Sequence, residues 1–405
     1  MVAQRIKGGA SLEVAVLELL QGLPVNFWPN PCKRIREWLQ HGKTPSSHTG
    51  GYNQARQTLP LSIVQKSCDR IFCQLMAQLG KSGNDDSPGA FILDGSSIRT
   101  ANSPQSCECY PPGSNQHGES HWPMLRVLVA HDVYTGLAMR PEWGPMNSSG
   151  AVSEQGLLER AIDRLPHGAT VIGDANFGVF SVANVCAQHQ HPVLLRMTLA
   201  RARRLAGAEL QDGTDLKISW KQSRGDRRSH PDLPAEACVE GRLLVRRVSP
   251  SDGKAAFLLA FFTTLSSPVE EVYGLYAQRW AVETDLRTLK DTLCLDQLTC
   301  GTPDMVAKEI ETTIAAYNLV RALMVLASQQ SGIPPRGYSF TKVRHILHTF
   351  GPLLAQASDE VSAQKILDQM LRYLQQSKLP SRKRKRPAFP RAVWAKGSTF
   401  PHRRN

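Results

Sequence analysis

Between residues 90 and 330, short apolar runs alternate with stretches of helical periodicity. "AFILDGSSIR" reads as a buried strand that ends in an acid, Asp94. "MLRVLVAHDVYTGLAMRPEW" reads as two strands joined by a turn at residues 134–136. "SEQGLLERAIDRL" predicts a helix with Ser at its start and Glu in its first turn. "ATVIGDANFG" is a second apolar strand ending in an acid, Asp174, and "HPVLLRM" is a third. This order predicts an α/β core. Residues 199–256 interrupt it with a basic, irregular segment of short strands, read as an insertion. "AAFLLAFFTTL" then resumes a strand, and "SPVEEVYGLYAQRWAVETDLRTLKDTL" predicts one long helix, followed by another over "MVAKEIETTIAAYNLVRALMVLASQQ".

The flanks have a different texture. "SLEVAVLELLQG" and "CKRIREWLQHG" predict helices within residues 1–85, and the Gly, Asp, Ser and Pro of "KSGNDDSPG" mark a boundary loop. Lys33, Arg34 and Arg36 read equally as DNA contacts or as a solvated face. The expected organisation is a helical region 1–85 that reads DNA ends, core 86–198, β-rich basic insertion 199–256, core 257–335 with a functional helix, helical region 336–376 and basic tail 377–405.

Within the long helix, Tyr276, Arg279, Glu283 and Lys290 deserve an angular test. At about 100° per residue they fall near 0°, 300°, 340° and 320°, an arc of about 60°. Leu275, Val282, Leu286, Leu289 and Leu293 fall at about 220–280°, so the polar stripe borders the buried one. A solvated face normally lies opposite the core. Polar groups at the rim of a core are costly unless paired or used. Arg279 and Glu283 at i,i+4 also suit a simple ion pair.

Charge sharpens the reading. The 405 residues carry 48 Lys and Arg against 35 Asp and Glu, a net +13. Ten of the basic side chains lie after residue 376, among them Arg382, Lys383, Arg384, Lys385 and Arg386, with no acid between them. Concentrated positive charge with interspersed Phe389, Trp394 and Phe400 suits a polyanion, since neutralising phosphates releases counterions. A solvated tail or a chance match to a nuclear address are the plainer alternatives. Nine cysteines without metal-site spacing read as free thiols. No apolar run suggests a membrane span, and Glu13 and Glu18 interrupt the apolar start, which argues against a signal peptide and for an intracellular protein.

Asp94 and Asp174 share one setting: an apolar strand delivers a carboxylate and a small residue follows. In open α/β sheets, sites form at the C-terminal ends of strands. Glu283 would complete three hard oxygen donors, which suit Mg²⁺ or Mn²⁺ and, with two ions about 4 Å apart, phosphoryl transfer.

Together these residues resemble a DDE transposase of the insertion-sequence-four family, bacterial enzymes with a ribonuclease H-like catalytic core. Tyr276, Arg279, Glu283 and Lys290 meet that family's Y-x2-R-x3-E-x6-K signature without gaps, and "LDGS" and "IGDANF" match the settings of its two catalytic Asp. The likeness covers about residues 90–330, including a long Asp174–Glu283 interval that fits the family's β-rich insertion. It implies an α/β fold with a ribonuclease H-like core and β-rich insertion between helical N- and C-terminal regions. It also implies Asp94, Asp174 and Glu283 as catalytic metal ligands for Mg²⁺, with Mn²⁺ as the alternative. Tyr276, Arg279, Lys290 and the tail residues 382–386 become DNA contacts. The partners would be double-stranded DNA, both terminal inverted repeats and target, handled by a homodimer without a membrane, in the bacterial cytoplasm at the nucleoid. Trp220, Phe257, Phe261 and Trp280 are candidate wedges for a flipped base, with Phe257 and Phe261 read first as core. His117, His121 and His131 are read as surface or core residues. An inactive DNA-binding relative and a general ribonuclease H-like nuclease are the competing readings.

Overall fold

A computed structural model describes residues 54–379, without residues 55, 80–88, 117, 232 and 250–254; of residues 78, 79, 115, 280–282 and 355 it describes the backbone alone, so the Trp280 side chain lies outside the description. The helices read from "SLEVAVLELLQG" and "CKRIREWLQHG", the boundary loop except Gly89, His117 and the tail from 380 lie outside the described residues.

In chain order the main elements are α1 (Leu61–Leu79), β1 (Ala90–Arg99), α2 (Pro104–Cys109), β2 (Pro112–Asn115), β3 (Gly118–Asp132), β4 (Glu142–Pro145), α3 (Glu154–Ala161) and β5 (Thr170–Gly173). Then follow α4 (Phe180–Gln188), β6 (Val193–Met197), α5 (Leu199–Ala206), β7 (Asp215–Lys221), α6 (Arg224–Ser229), β8 (Cys238–Val248) and β9 (Phe257–Thr263). The last part is helical: α7 (Val269–Ala277), α8 (Arg279–Arg287), a π-turn (Thr288–Thr292), α9 (Pro303–Ser331), α10 (Phe340–Gln356) and α11 (Glu360–Gln375).

The strands form one nine-stranded sheet in the order β2-β3-β1-β5-β6-β9-β8-β7, with β4 on β3. At its centre β1, β5 and β6 run parallel, and β3 pairs antiparallel with β1. A parallel centre with an antiparallel flank and helices on both faces is the α/β arrangement the sequence predicted. Apolar runs explain it locally: Val171 and Ile172 of β5 and Val193 and Leu194 of β6 are buried on strands covered on both sides.

Three features add to or differ from the sequence reading. The segment 199–256, read as a β-rich insertion, carries β7 and β8, which pair on through β9 to β6 and extend the same sheet. The N-terminal part does not stand apart where it is described: Phe72 and Leu75 of α1 belong to the main core, and the Phe72 ring meets Phe91 edge-on at 6.2 Å. Finally, α9 is long and apolar enough to cross a membrane by length and composition, contrary to the expectation of no such run. It is instead the buried axis of the fold, with α1, α10 and α11 packed around it.

A second, smaller apolar cluster decides where chemistry can occur. Ile92, Ile172, Leu194 and Phe261 of the sheet meet Val272 and Tyr276 of α7. Side chains alternate along a strand, so Asp94 shares the face of Ile92, the face that α7 and α8 cover.

Candidate active site

Ile92 and Ile172 are the last paired residues of β1 and β5, and Asp94 and Asp174 each stand two positions beyond them. The two acids therefore emerge at the same level from neighbouring parallel strands. β1 itself does not end at Asp94, as the sequence reading held. It continues to Arg99 because β3 goes on pairing with it, with Asp94 opposite Val129. What ends there is the β5 partner, and that leaves an open edge. After β5 the chain turns at once: Phe177 and Gly178 donate their N–H to the Asp174 carbonyl, both at 3.1 Å, and Asn176 donates its N–H to Asp174 Oδ1 at 2.8 Å. Gly178 is required by this turn, since a Cβ there would lie 2.0 Å from the Arg196 carbonyl oxygen.

Glu283 comes from α8, which packs on β1. The predicted single helix is broken at Gln278 into α7 and α8 and ends in a π-turn, so Lys290 leaves the regular α spiral. Lys290 Nζ nevertheless reaches β1, donating to Ser96 Oγ at 3.0 Å, two residues beyond Asp94 on the same strand. Arg279 Nη2 binds Glu283 Oε1 at 2.8 Å, so the i,i+4 ion pair is present. Burial pushes the Asp94 carboxyl up to about 6; Arg279 opposes the rise, while the negative fields of Asp174, Glu154 and Glu283 add to it. Asp94 thus feels three other acids against the one guanidinium of Arg279.

The donor set is chemically right for a hard divalent cation: carboxylate oxygens in excess negative charge at open strand ends. Among the described residues no three His, Cys, Asp or Glu side chains converge at ligand distance. Glu283 instead pairs with Arg279 at 2.8 Å.

Tyr276 does not face outward as a DNA contact. It is 8% exposed, its ring centroid lies 4.5 Å from that of Phe261, and burial raises its hydroxyl above the ordinary value. The sequence reading placed it on the polar stripe because its offset fits, yet an aromatic ring at the rim of a core gains more by packing. Trp220 is likewise no wedge: it is buried edge-on between Phe180 and Phe262. Phe261 is core, as first read, whereas Phe257 is 46% exposed. His121 is exposed and His131 fully buried.

Residues 85–319 match the family model described as the transposase DDE domain. That match spans more than half of the chain and contains Asp94, Asp174 and Glu283. The chain belongs to the transposase DDE domain family. It is similar to the transposase InsG for insertion sequence element IS4 of Escherichia coli (strain K12), 24% identical over 320 residues that cover 76% of this chain and 68% of the relative. Among solved structures it is similar to a piggyBac transposase synaptic complex with hairpin DNA, at 13% identity and a TM-score of 0.37; the match covers 73% of this chain and 58% of that one. The expectation of a DDE transposase is met at the level of family.

This DDE domain holds two groups that sequence reasoning missed. Asp285, two residues after Glu283, is 1% exposed and ion-paired to both Arg321 of α9 and Arg336. Arg336 also donates to the Asp132 and Val133 carbonyls, and Arg321 Nε donates to the Tyr317 hydroxyl at 2.9 Å. This buried lock fixes α8 to the body of the fold; a lone Arg within the apolar run "NLVRALMVLA" was its only sequence signal. The second group is Glu154 with Asn176. "SEQGLL" was read only as a helix start, and Ser153 does cap it, accepting from Gly156 N at 3.0 Å.

Proposed function

We propose that the chain is the transposase of a bacterial insertion sequence, cutting the ends of its element and joining the 3′-OH ends to target DNA. The observation that carries this is the level delivery of Asp94 and Asp174 from neighbouring parallel strands, with Glu283 facing them from α8. Asp94, Asp174 and Glu283 would hold Mg²⁺, or Mn²⁺ in its place. When bound, such ions supply activation of the attacking oxygen and stabilisation of the leaving 3′ oxygen in phosphoryl transfer.

The chain's own residues do the rest. Arg279 holds Glu283 and offsets the crowded negative charge at Asp94. Lys290, anchored on Ser96, offers a cation to a DNA phosphate beside the acids. β1, paired with β3 through Arg99, holds the backbone of Asp94, and the Asp285 lock fixes the helix that carries Glu283. The tail residues 382–386 add sequence-independent affinity for the backbone of DNA. The partners are the element's terminal inverted repeats and the target duplex, held by a homodimer because two ends must be joined together, in the cytoplasm at the nucleoid. The test is Mg²⁺-dependent cleavage of a duplex carrying the element's ends, with Asp94→Ala, Asp174→Ala and Glu283→Ala each compared with the unmodified chain. Undiminished cutting by any of the three would remove that residue from the reading.

A further inference from the structure

The turn after β5 carries Asp174, and a turn on its own holds a carboxylate only loosely. Here α3 grips it. Glu154 Oε2 accepts from Asn176 Nδ2 at 2.5 Å, and Gln155 Nε2 donates to the Asn176 carbonyl at 2.7 Å. The N–H of the same Asn176 holds Asp174 Oδ1 at 2.8 Å. Asn176 is therefore pinned through its side chain and its carbonyl while its amide orients Asp174.

β1 is cut back to admit this grip. A Cβ on Gly95 would lie 2.2 Å from Glu154 Cδ and 2.3 Å from its Oε1. The residue directly after Asp94 has no side chain, and the carboxylate of Glu154 fills that place. One side chain thus meets β1 beside Asp94 and the turn that carries Asp174. A Glu serving only the dipole of the α3 N-terminus would need neither the missing side chain at 95 nor the amide of Asn176.

We infer that Glu154 is a positioning residue for the Asp174 carboxylate, acting through Asn176, with Gly95 as the space it requires. The inference rests on the proposed function, in which Asp174 is a cation ligand. Partners of metal ligands typically matter at the level of about 10- to 100-fold in affinity.

The experiment is Mn²⁺ binding by the full chain without DNA, followed through the spectroscopic signal of free Mn²⁺, beside thermal unfolding. Glu154→Ala is expected to weaken Mn²⁺ binding by about 10-fold or more. Glu154→Gln keeps an acceptor for the Asn176 amide and is expected to stay within about threefold of the unmodified chain. Asn176→Ala and Gly95→Ala should reproduce the loss, the first by cutting the link and the second by displacing the carboxylate; they carry the test if Glu154→Ala does not fold. Unchanged Mn²⁺ binding in Glu154→Ala, or a Gln variant as weak as the Ala variant, overturns the positioning role. Asp174→Ala is the control: if it binds Mn²⁺ as well as the unmodified chain, the cation reading falls too, whereas a failure confined to residue 154 leaves that reading standing.

Discussion

Glu283 and Asp285 stand two residues apart on α8, and their surroundings are opposite. Asp285 is closed in by two arginines within the core. Glu283 is 39% exposed, holds one arginine and adds, with Asp174 and Glu154, to the negative field at Asp94. A buried carboxylate with matched partners is a lock, because breaking it strands charge in a low-dielectric interior. Carboxylates crowded at open strand ends are left short of positive charge, which is the condition a cation relieves. The difference separates structure from chemistry on a single helix, and it can be broken experimentally.

The largest effect should come from the open side. Asp94→Asn or Glu283→Gln is expected to lower end cleavage by about 1000-fold or more while the unfolding temperature stays near that of the unmodified chain. A variant that lost stability instead would place these acids with the lock. Conversely, Asp285→Ala should cost about 3 kcal/mol or more in denaturant unfolding, because Arg321 and Arg336 are left buried without their counterion. Intact stability in that variant would erase the contrast.

Glu311 sharpens the comparison from a third position. Its side chain is fully buried beside Arg140 at 3.5 Å, and burial pushes its carboxyl up to about 7 from an ordinary 4.5. An acid that holds its proton more tightly when folded lowers stability as pH rises from the ordinary to the raised value. The penalty is absent below about 4.5 and complete above about 7. Glu311→Gln should therefore gain up to about 3 kcal/mol above neutrality, fading as the pH falls, as read from unfolding curves across that range. The smallest effect belongs to Lys290: its replacement by Ala should lower the slope of log affinity against log salt for DNA by about one, with little change in stability.

Much of this was legible because it is local. The runs "AFILD" and "TVIGD" are apolar enough to be strands wherever they are placed, and a small residue after each acid marks an exposed end. The Y-x2-R-x3-E-x6-K spacing gave the family from four residues. The angular argument fits the Arg279–Glu283 pair, whereas Lys290 comes to Ser96 through a π-turn and Tyr276 packs on Phe261, a strand residue 15 positions away in sequence. Gln278 and the π-turn escaped the same argument because 100° per residue presumes an unbroken α-helix.

By itself, then, the sequence determined which segments are strands, which acids they deliver and to which family the chain belongs, because burial patterns and spacing act along the chain. Tertiary structure alone decided that β1 and β5 lie side by side, that residues 199–256 continue one sheet, and that Arg321 and Arg336 close on Asp285. It alone brought Glu154 against Gly95, 59 positions earlier in the chain. Those contacts join residues far apart in sequence, and no periodicity along the chain records a partner that only the folded sheet brings within reach.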